Sequence, residues 1–137
     1  MRTLITDTSA IYALVDADDV HHAEAVAFVK EHGQELTLTV TDLTLFEAIT
    51  LVKSRLGQNV ASRVLKTIRT SQRYGLIRLS EQEIAETWLI FEQFADKDWS
   101  PFDCACLAAA RTRKIDEAFA FDQHFDQMAG AGLIRLP

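Results

Sequence analysis

The sequence has 137 residues, of which 48% are hydrophobic and 25% charged, and its formal net charge is −6. Length and composition are those of an ordinary globular chain, and we expect a single domain over residues 1–137. No run of about 18 apolar residues is present, which excludes a membrane-spanning helix. Asp7 interrupts the N-terminal apolar stretch, so we expect no signal peptide.

In chain order, the first half of the sequence predicts a strand, two helices, a second strand and two more helices. The strands are the β-rich runs at residues 3–6 and 35–40. The apolar residues repeat with helical spacing in four segments, and Gly33, Gly57 and Gly75 are placed to end three of them. These four helices are predicted at residues 9–15, 20–32, 41–56 and 59–74.

The second half begins with a strand at residues 76–79. Ser80 opens a capping box for a helix that reaches about Phe94, and Ser100 caps a helix that reaches about Arg113. A strand, a helical turn and a last strand follow, at residues 118–121, 122–128 and 133–136. Strands that alternate with helices predict an α/β fold, with a parallel sheet covered by helices on both faces.

The two cysteines lie two positions apart in one predicted helix. Cys104 and Cys106 therefore point to nearly opposite sides, which makes a disulfide between them implausible. Two ligands are also too few for a zinc site. We expect both to be small buried apolar residues of a protein in the reducing cytoplasm.

The charges are segregated along the chain. Residues 48–80 contain no Asp or Glu but seven basic residues: Lys53, Arg55, Arg63, Lys66, Arg69, Arg73 and Arg78. Such segregation favours RNA or an acidic protein as a partner, and the alternative is a solvated helix face. On the helix predicted at residues 59–74, an outer face is shared by the three candidate RNA contacts Lys66, Arg69 and Arg73.

Four acidic residues are predicted to meet at one edge of the sheet. Asp7 and Asp122 directly follow strands, whereas Glu47 and Asp103 lie in early turns of helices. The carboxyl ends of parallel strands share one edge, and ligands of open α/β sheets bind there. The alternative is that these residues act singly as helix caps or surface residues.

Converging carboxylates require compensation, because two unit charges about 5 Å apart repel by roughly 3 kcal/mol at an effective dielectric near 20. A hard cation or a bound proton would relieve this repulsion. Ligand sets made only of oxygen select Mg²⁺ or Mn²⁺ rather than zinc. Such an ion can supply a water that attacks a phosphodiester, so the sequence favours metal-dependent hydrolysis.

Four segments resemble the PIN-domain ribonucleases, and most closely the VapC toxins of bacterial type II toxin–antitoxin pairs. They are DTSA at residues 7–10, the early helix with Glu47, SPFD at 100–103 and FDQHF at 121–125. The resemblance extends in order over essentially the whole chain. It implies a three-layer α/β/α fold with a short, mainly parallel sheet, and Mg²⁺- or Mn²⁺-dependent cleavage of RNA.

The resemblance also implies site residues and partners. The metal-binding and catalytic residues would be Asp7, Glu47, Asp103 and Asp122. Ser9 and Ser100 match the motif hydroxyls, which would orient carboxylates or waters. The family often has Thr or Ser where this chain has Ala120, and this departure counts against a second metal ion. Asp126 is an alternative ligand for such an ion. The toxins are usually homodimers, inhibited by a cognate antitoxin whose tail lies across the active site.

Two other functions stay open. A phosphotransfer enzyme similar to the haloacid dehalogenases would use Asp7 as a nucleophile, although those enzymes carry a DxD motif and position 9 here is Ser. Alternatively, a catalytically weak PIN-like domain would act only as a dimerising and partner-binding module.

Other aromatic and imidazole side chains carry secondary predictions. The histidine pair at residues 21 and 22 is expected to be exposed, and His124 could reach a substrate phosphate. Trp88 and Phe91 are expected in the core or at a dimer face. Trp99, which directly precedes Ser100, is expected to line the cleft.

Overall fold

The computed structural model describes residues 1–137 and contains one sheet of five parallel strands. The strands are β1 (Arg2–Thr6), β2 (Leu36–Thr41), β3 (Tyr74–Ile77), β4 (Glu117–Phe119) and β5 (Ile134–Leu136). Their order in the sheet is β3-β2-β1-β4-β5, so β1 is the central strand. The predicted α/β fold with a mainly parallel sheet is confirmed.

Helices connect the strands. The six α-helices are α1 (Thr8–Val15), α2 (His22–His32), α3 (Asp42–Leu56), α4 (Gln58–Thr70), α5 (Glu81–Gln93) and α6 (Pro101–Arg113). Two 3-10 helices span Gly33–Glu35 and Gln123–Ala131. None of these helices combines the length and the apolar character needed to cross a bilayer.

The core lies on both faces of the sheet, because successive side chains of a strand point to opposite sides. Leu4 of β1 packs with Ala10 of α1 and Phe28 of α2. The next residue, Ile5, packs with the buried residues of α6 on the other face. Helices α1 to α4 thus form one layer and α5 and α6 the other, as a three-layer α/β/α fold requires.

Helix α6 is buried over eight consecutive residues, from Asp103 to Ala110. Small residues predominate in this stretch, which lets the helix lie between the sheet and α5. Cys104 and Cys106 are both buried and unpaired, as predicted, and burial raises the pKa of each thiol above its ordinary value.

The structure corrects the boundary between α4 and β3. Helix α4 was predicted to reach residue 74 but ends at Thr70, and β3 begins at Tyr74 rather than residue 76. Gly75, read from the sequence as a helix terminator, lies inside the strand and pairs with Thr39 of β2. The pairing with β2 therefore overrides the apolar helical pattern of these residues, a tertiary effect that local periodicity does not contain.

Arg73 consequently does not share the outer face of α4, and this prediction is wrong. Its guanidinium donates hydrogen bonds to the carbonyls of Gly33 and Leu36, at the amino end of β2. Lys66 and Arg69 are exposed on α4, as predicted, and neither forms an ion pair within the chain.

Several aromatic and imidazole side chains differ from expectation. Trp88 and Phe91 are 52% and 39% exposed, so they are not core residues, and the dimer face stays a prediction for them. Trp99 is buried and packs on Phe94, so it does not line the cleft. The histidines at 21 and 22 are half-buried rather than exposed, because one stacks on Phe121 and the other bonds to the carbonyl of residue 13.

Candidate active site

A cavity of about 360 Å³ lies at the carboxyl edge of the sheet, where β1 ends. Nine residues line it: Asp7, Thr8, Ser9, Glu47, Leu51, Ser100, Asp103, Asp122 and His124. The four predicted acids are therefore brought together, and no Lys or Arg accompanies them. A larger groove of about 610 Å³ between α1 and α4 is lined mainly by hydrophobic side chains and holds no comparable cluster.

Asp7 follows the last residue of β1 and caps helix α1. Its Oδ2 atom accepts hydrogen bonds from the backbone N–H of Ser9 at 3.0 Å and from the Ser9 hydroxyl at 2.5 Å. The Oδ1 atom accepts none. Capping therefore explains one oxygen of this carboxylate, which is only 5% exposed, and leaves the other free.

Ser9 connects two of the acids. Its hydroxyl donates to Asp7 and accepts hydrogen bonds from the backbone N–H groups of Phe121 and Asp122, at 3.0 and 3.3 Å. A single side chain thereby fixes the end of β1 against the segment that follows β4. The orienting role that the resemblance implied for Ser9 in the reaction stays a prediction.

Glu47 reaches the cavity from the second turn of α3. Its Oε1 atom accepts a 2.5 Å hydrogen bond from the hydroxyl of Thr8, and its Oε2 atom has no donor in the chain. Thr41 caps α3 by accepting a bond from the Thr44 N–H. The alternative that Glu47 serves as a helix cap is therefore wrong.

Asp103 is the third residue of α6 and forms a capping box with Ser100. Its Oδ2 atom accepts a hydrogen bond from the Ser100 N–H at 3.0 Å, and its own N–H donates to the Ser100 hydroxyl at 3.1 Å. Oδ2 also lies 3.1 Å from Nδ1 of His124. The Oδ1 atom has no partner, so capping again accounts for only one oxygen.

Asp122 follows β4 and caps the 3-10 helix Gln123–Ala131. Its Oδ1 atom accepts a bond from the His124 N–H at 2.9 Å and lies 3.4 Å from Nδ1 of the same residue. Its Oδ2 atom has no protein partner. All four carboxylates therefore direct one oxygen to hydrogen-bond donors of the fold and keep the second one free.

Burial and repulsion from neighbouring carboxylates raise the pKa values of Asp7, Glu47 and Asp103. Burial, together with the charges of Asp103 and Glu47 and against the hydrogen bonds from Ser9, raises the pKa of Asp7 to about 6. Burial also raises the pKa values of Glu47 and Asp103, and the Asp122 charge contributes to both. The charged forms thus disfavour one another, as expected for neighbouring carboxylates without a counter-ion.

This donor set fits a hard divalent cation. Four carboxylates with a free oxygen each, together with the hydroxyls of the lining residues, provide oxygen ligands of the kind that Mg²⁺ and Mn²⁺ prefer. A cation would also remove the repulsion that raises the pKa values of Asp7, Glu47 and Asp103.

Some predicted contributors lie elsewhere. Asp126 is mostly exposed and pairs with Arg135 at 2.7 Å, so it does not reach the cavity. Ala120 is fully buried in the core cluster that contains α6. Lys66 and Arg69 are absent from the lining of the cavity.

Two lining residues make contacts that the sequence did not predict. Thr8 holds Glu47, and no local signal reveals this because the contact depends on how α1 and α3 pack. The sequence indicated that His124 could reach a substrate phosphate, which stays a prediction, and in the structure its Nδ1 atom lies between the carboxylates of Asp103 and Asp122. Its position two residues after Asp122 was the available signal, since a short turn there brings its ring back toward that carboxylate.

Several solved structures share this fold. The VapC20 toxin of Mycobacterium tuberculosis, described as cleaving the sarcin–ricin loop, is similar with a TM-score of 0.84, 23% identity and 96% of each chain covered. A DNA-bound VapBC complex from Salmonella typhimurium gives 0.67 and 17%, over 99% of this chain and 98% of that one. FitAcB from Neisseria gonorrhoeae gives 0.69 and 13%, with 98% and 96% covered.

Identities this low establish the fold alone, and a search of curated protein sequences gave no match. A family model covers almost the whole chain, however. It is that of the PIN domain, and it matches residues 4–131, from β1 to the end of the last 3-10 helix. The chain belongs to the PIN domain family.

Proposed function

We propose that this protein is a Mg²⁺- or Mn²⁺-dependent endoribonuclease, and that it is the toxin of a type II toxin–antitoxin pair in the cytoplasm. The observation that carries the proposal is the set of four carboxylates around one cavity, each with an oxygen unused by the fold. Membership of a nuclease family supports the same reaction class.

In this proposal the ion is held by Asp7, Glu47, Asp103 and Asp122. Such an ion, when bound, would supply an activated water as nucleophile and would stabilise charge on the leaving oxygen of a phosphodiester. The chain's own contribution is to hold the carboxylates in place. Ser9 fixes Asp7, the Ser100 N–H fixes Asp103, and Thr8 fixes Glu47.

The reaction has no covalent enzyme intermediate in this account. The Thr8 and Ser9 hydroxyls donate to the carboxylates of Glu47 and Asp7, which this proposal assigns to the ion, and the Ser100 hydroxyl accepts from the Asp103 N–H. The proposal therefore needs none of these hydroxyls as a nucleophile. The hydroxyl of Ser9 also stands where a DxD phosphotransferase would have its second carboxylate, which argues against that alternative.

The toxin assignment adds two partners. The cavity holds four acids and no Lys or Arg, so it could accept a basic side chain from the tail of a cognate antitoxin. Solved structures with this fold include a toxin–antitoxin complex from Klebsiella pneumoniae, with a TM-score of 0.67 and 17% identity. The second partner is another copy of this chain, which would form a homodimer. The exposed side chains of Trp88, Leu89 and Phe91 on α5 offer an apolar surface for this contact.

The test is cleavage of RNA by the purified protein in the absence of any antitoxin. The substrates are total cellular RNA, transfer RNA and intact ribosomes, the last because a structural neighbour is a sarcin–ricin loop cleaving toxin. Reactions contain Mg²⁺, Mn²⁺ or a chelator. We expect cleavage with either ion and none with the chelator, whereas cleavage that persists in the chelator contradicts the proposal.

A partner-binding module without activity is the second candidate, favoured by the exposed apolar side chains of α5 and by Phe46, which is 74% exposed. Calorimetric titration with Mn²⁺ separates the two functions. A PIN-like domain that has lost its catalytic activity is expected to have lost its ion site as well. Absence of both Mn²⁺ binding and RNA cleavage would therefore support the partner-binding module. Binding of Mn²⁺ without cleavage would leave the proposed nuclease activity in place and would show that none of the tested RNAs is its substrate.

A further inference from the structure

His124 occupies a defined place inside the acidic cavity. Its backbone N–H donates to Asp122, which places its ring at the start of the 3-10 helix Gln123–Ala131. The side chain is 26% exposed, and Nδ1 lies 3.1 Å from Asp103 Oδ2 and 3.4 Å from Asp122 Oδ1. The imidazole thus turns one nitrogen toward two of the four acids.

The separations between these atoms match a coordination polyhedron. One ring nitrogen of His124 and one oxygen from each of Asp103 and Asp122 all lie within 4.8 Å of one another. Ions with bonds of about 2.1 Å in an octahedral shell place adjacent ligands roughly 3 Å apart and opposite ligands about 4.2 Å apart. The two distances from Nδ1 run to the carboxylate oxygens that also accept hydrogen bonds from backbone N–H groups, and both are close to the spacing of adjacent ligands.

The surroundings leave the imidazole free for this role. No Lys or Arg lines the cavity, so the groups that face Nδ1 are carboxylates and hydroxyls. The other three histidines are placed differently, since one stacks on Phe121 and two bond to backbone carbonyls outside the cavity. His124 is therefore the one histidine that can supply nitrogen to an ion held by these acids.

We propose that His124 coordinates the divalent ion through its imidazole, and that this mixed oxygen and nitrogen ligand set gives the site a preference for Mn²⁺ over Mg²⁺. This inference rests on the proposed function, because it concerns the same ion. Mg²⁺ is bound almost entirely by oxygen, whereas Mn²⁺ also prefers oxygen but accepts an imidazole nitrogen among its oxygen ligands more readily than Mg²⁺ does. A nitrogen ligand from His124 should therefore increase affinity for Mn²⁺ and leave affinity for Mg²⁺ nearly unchanged.

Electron spin echo envelope modulation of bound Mn²⁺ tests this inference without any assay of activity. Nitrogen bound to Mn²⁺ gives a modulation whose frequencies change when the histidines are labelled with ¹⁵N. The variant is His124→Asn, because its amide N–H can replace the hydrogen bond from Nδ1 to Asp103 but supplies no imidazole. His32→Asn is the matched control, since His32 contacts Arg2 and the carbonyl of Phe28.

We expect histidine nitrogen modulation in the wild-type protein and in His32→Asn, and none in His124→Asn. Calorimetry should show about a tenfold or larger loss of Mn²⁺ affinity in His124→Asn, the size of effect reported for groups that support metal sites. Its Mg²⁺ affinity should stay within about threefold of wild type.

Mn²⁺ binding without histidine modulation in the wild-type protein would overturn the inference and leave the proposed nuclease intact. An unchanged ratio of Mn²⁺ to Mg²⁺ affinity in His124→Asn would do the same, and would assign the imidazole to holding Asp103 by a hydrogen bond. Failure of the wild-type protein to bind Mn²⁺ would reject both the inference and the metal dependence of the proposed function.

Discussion

The hydroxyl of Thr8 donates a 2.5 Å hydrogen bond to Oε1 of Glu47, and this bond joins the first residue of α1 to the second turn of α3. Glu47 is the one acid of the cavity that does not belong to a helix cap. Thr8 therefore sets the direction of a carboxylate that would otherwise rotate freely at the surface of α3. The precision of the acidic cluster depends on this contact between two helices.

Thr8→Val removes the donor and keeps the shape of the side chain. We expect the affinity for Mn²⁺ to fall about tenfold, because groups that orient metal ligands typically contribute 10- to 100-fold. Cleavage of RNA at a subsaturating concentration of ion should fall in proportion. The measurement is calorimetric titration together with cleavage rates at several concentrations of Mn²⁺.

Thr50→Val is the matched control, since Thr50 is an exposed residue of the same helix as Glu47 and its hydroxyl bonds only to the carbonyl of Phe46. Its Mn²⁺ affinity should equal that of the wild-type protein. If Thr8→Val also bound Mn²⁺ as tightly as wild type, the hydroxyl would have no part in orienting Glu47.

Ser9→Ala should lower the stability of the folded protein. The hydroxyl accepts from two backbone N–H groups and donates to Asp7, so its loss leaves donors of the Asp122 segment without a partner. Leaving a buried polar group unsatisfied costs about 1–3 kcal/mol, and we expect a loss of that size in the free energy of unfolding. Urea denaturation measures it.

Ser62→Ala is the control for this loss, because the hydroxyl of Ser62 bonds only to the exposed side chain of Gln58. Its free energy of unfolding should change by less than about 0.5 kcal/mol. Equal stability of the two variants would mean that water replaces the Ser9 hydroxyl without cost.

Asp7→Asn should stabilise the protein in the absence of metal at neutral pH. The pKa of Asp7 is raised from 3.8 to about 6, so the folded protein holds more protons than the unfolded chain between these values. Stability therefore falls as the pH rises through this window, and the penalty is complete above about pH 6. Asn is an equally good helix cap and carries no charge.

We expect Asp7→Asn to exceed the wild-type free energy of unfolding by roughly 3 kcal/mol at pH 8 in a chelator, from about 1.4 kcal/mol for each unit of pKa. At pH 4 the two proteins should be nearly equal. Urea denaturation at both values of pH is the measurement. A variant less stable than wild type at pH 8 would show that the carboxylate is not destabilised by its surroundings.

Lys66 and Arg69 are the part of the basic segment best placed to contact RNA, because both are exposed and free of ion pairs. Replacing both with Gln should weaken RNA binding at low salt. Each lost phosphate contact with a single strand lowers the slope of log affinity against log salt by about 0.7. Fluorescence anisotropy at several salt concentrations measures this slope, with a catalytically inactive Asp103→Asn background.

A double variant with Lys30→Gln and Lys97→Gln removes the same charge outside the basic segment and is the control. An unchanged slope in the Lys66 and Arg69 variant would exclude these residues from the RNA path. The basic segment would then be left with an acidic partner or with solvent.

The fold was largely predictable because its signals are local. The capping boxes at Ser80 and Ser100 identify the starts of α5 and α6, and both are present in the structure. The boundary at Arg73 was not predictable, because the pairing of Tyr74 with β2 decides it and the helical pattern continues past Thr70.

The acidic cavity could be predicted in outline from the topology of the sheet. Asp7 and Asp122 directly follow strands, so the topology of a parallel sheet places them at one edge. The contact of Thr8 with Glu47 depends on how two helices pack, and the orientation of His124 depends on a 3-10 turn. Neither is contained in the spacing of the sequence. Trp99 was misplaced because its indole N–H finds a partner in Gln127 and its ring can be buried.

The most direct test of the account compares RNA cleavage by Asp103→Asn and by Asp126→Asn in Mn²⁺. Both variants lose one carboxylate, but Asp103 lines the cavity and Asp126 pairs with Arg135 at the surface. We expect Asp103→Asn to lose at least about 100-fold in rate while it stays folded, and Asp126→Asn to cleave like wild type. Equal rates for Asp103→Asn and the wild-type protein would contradict a catalytic role for the four-carboxylate site.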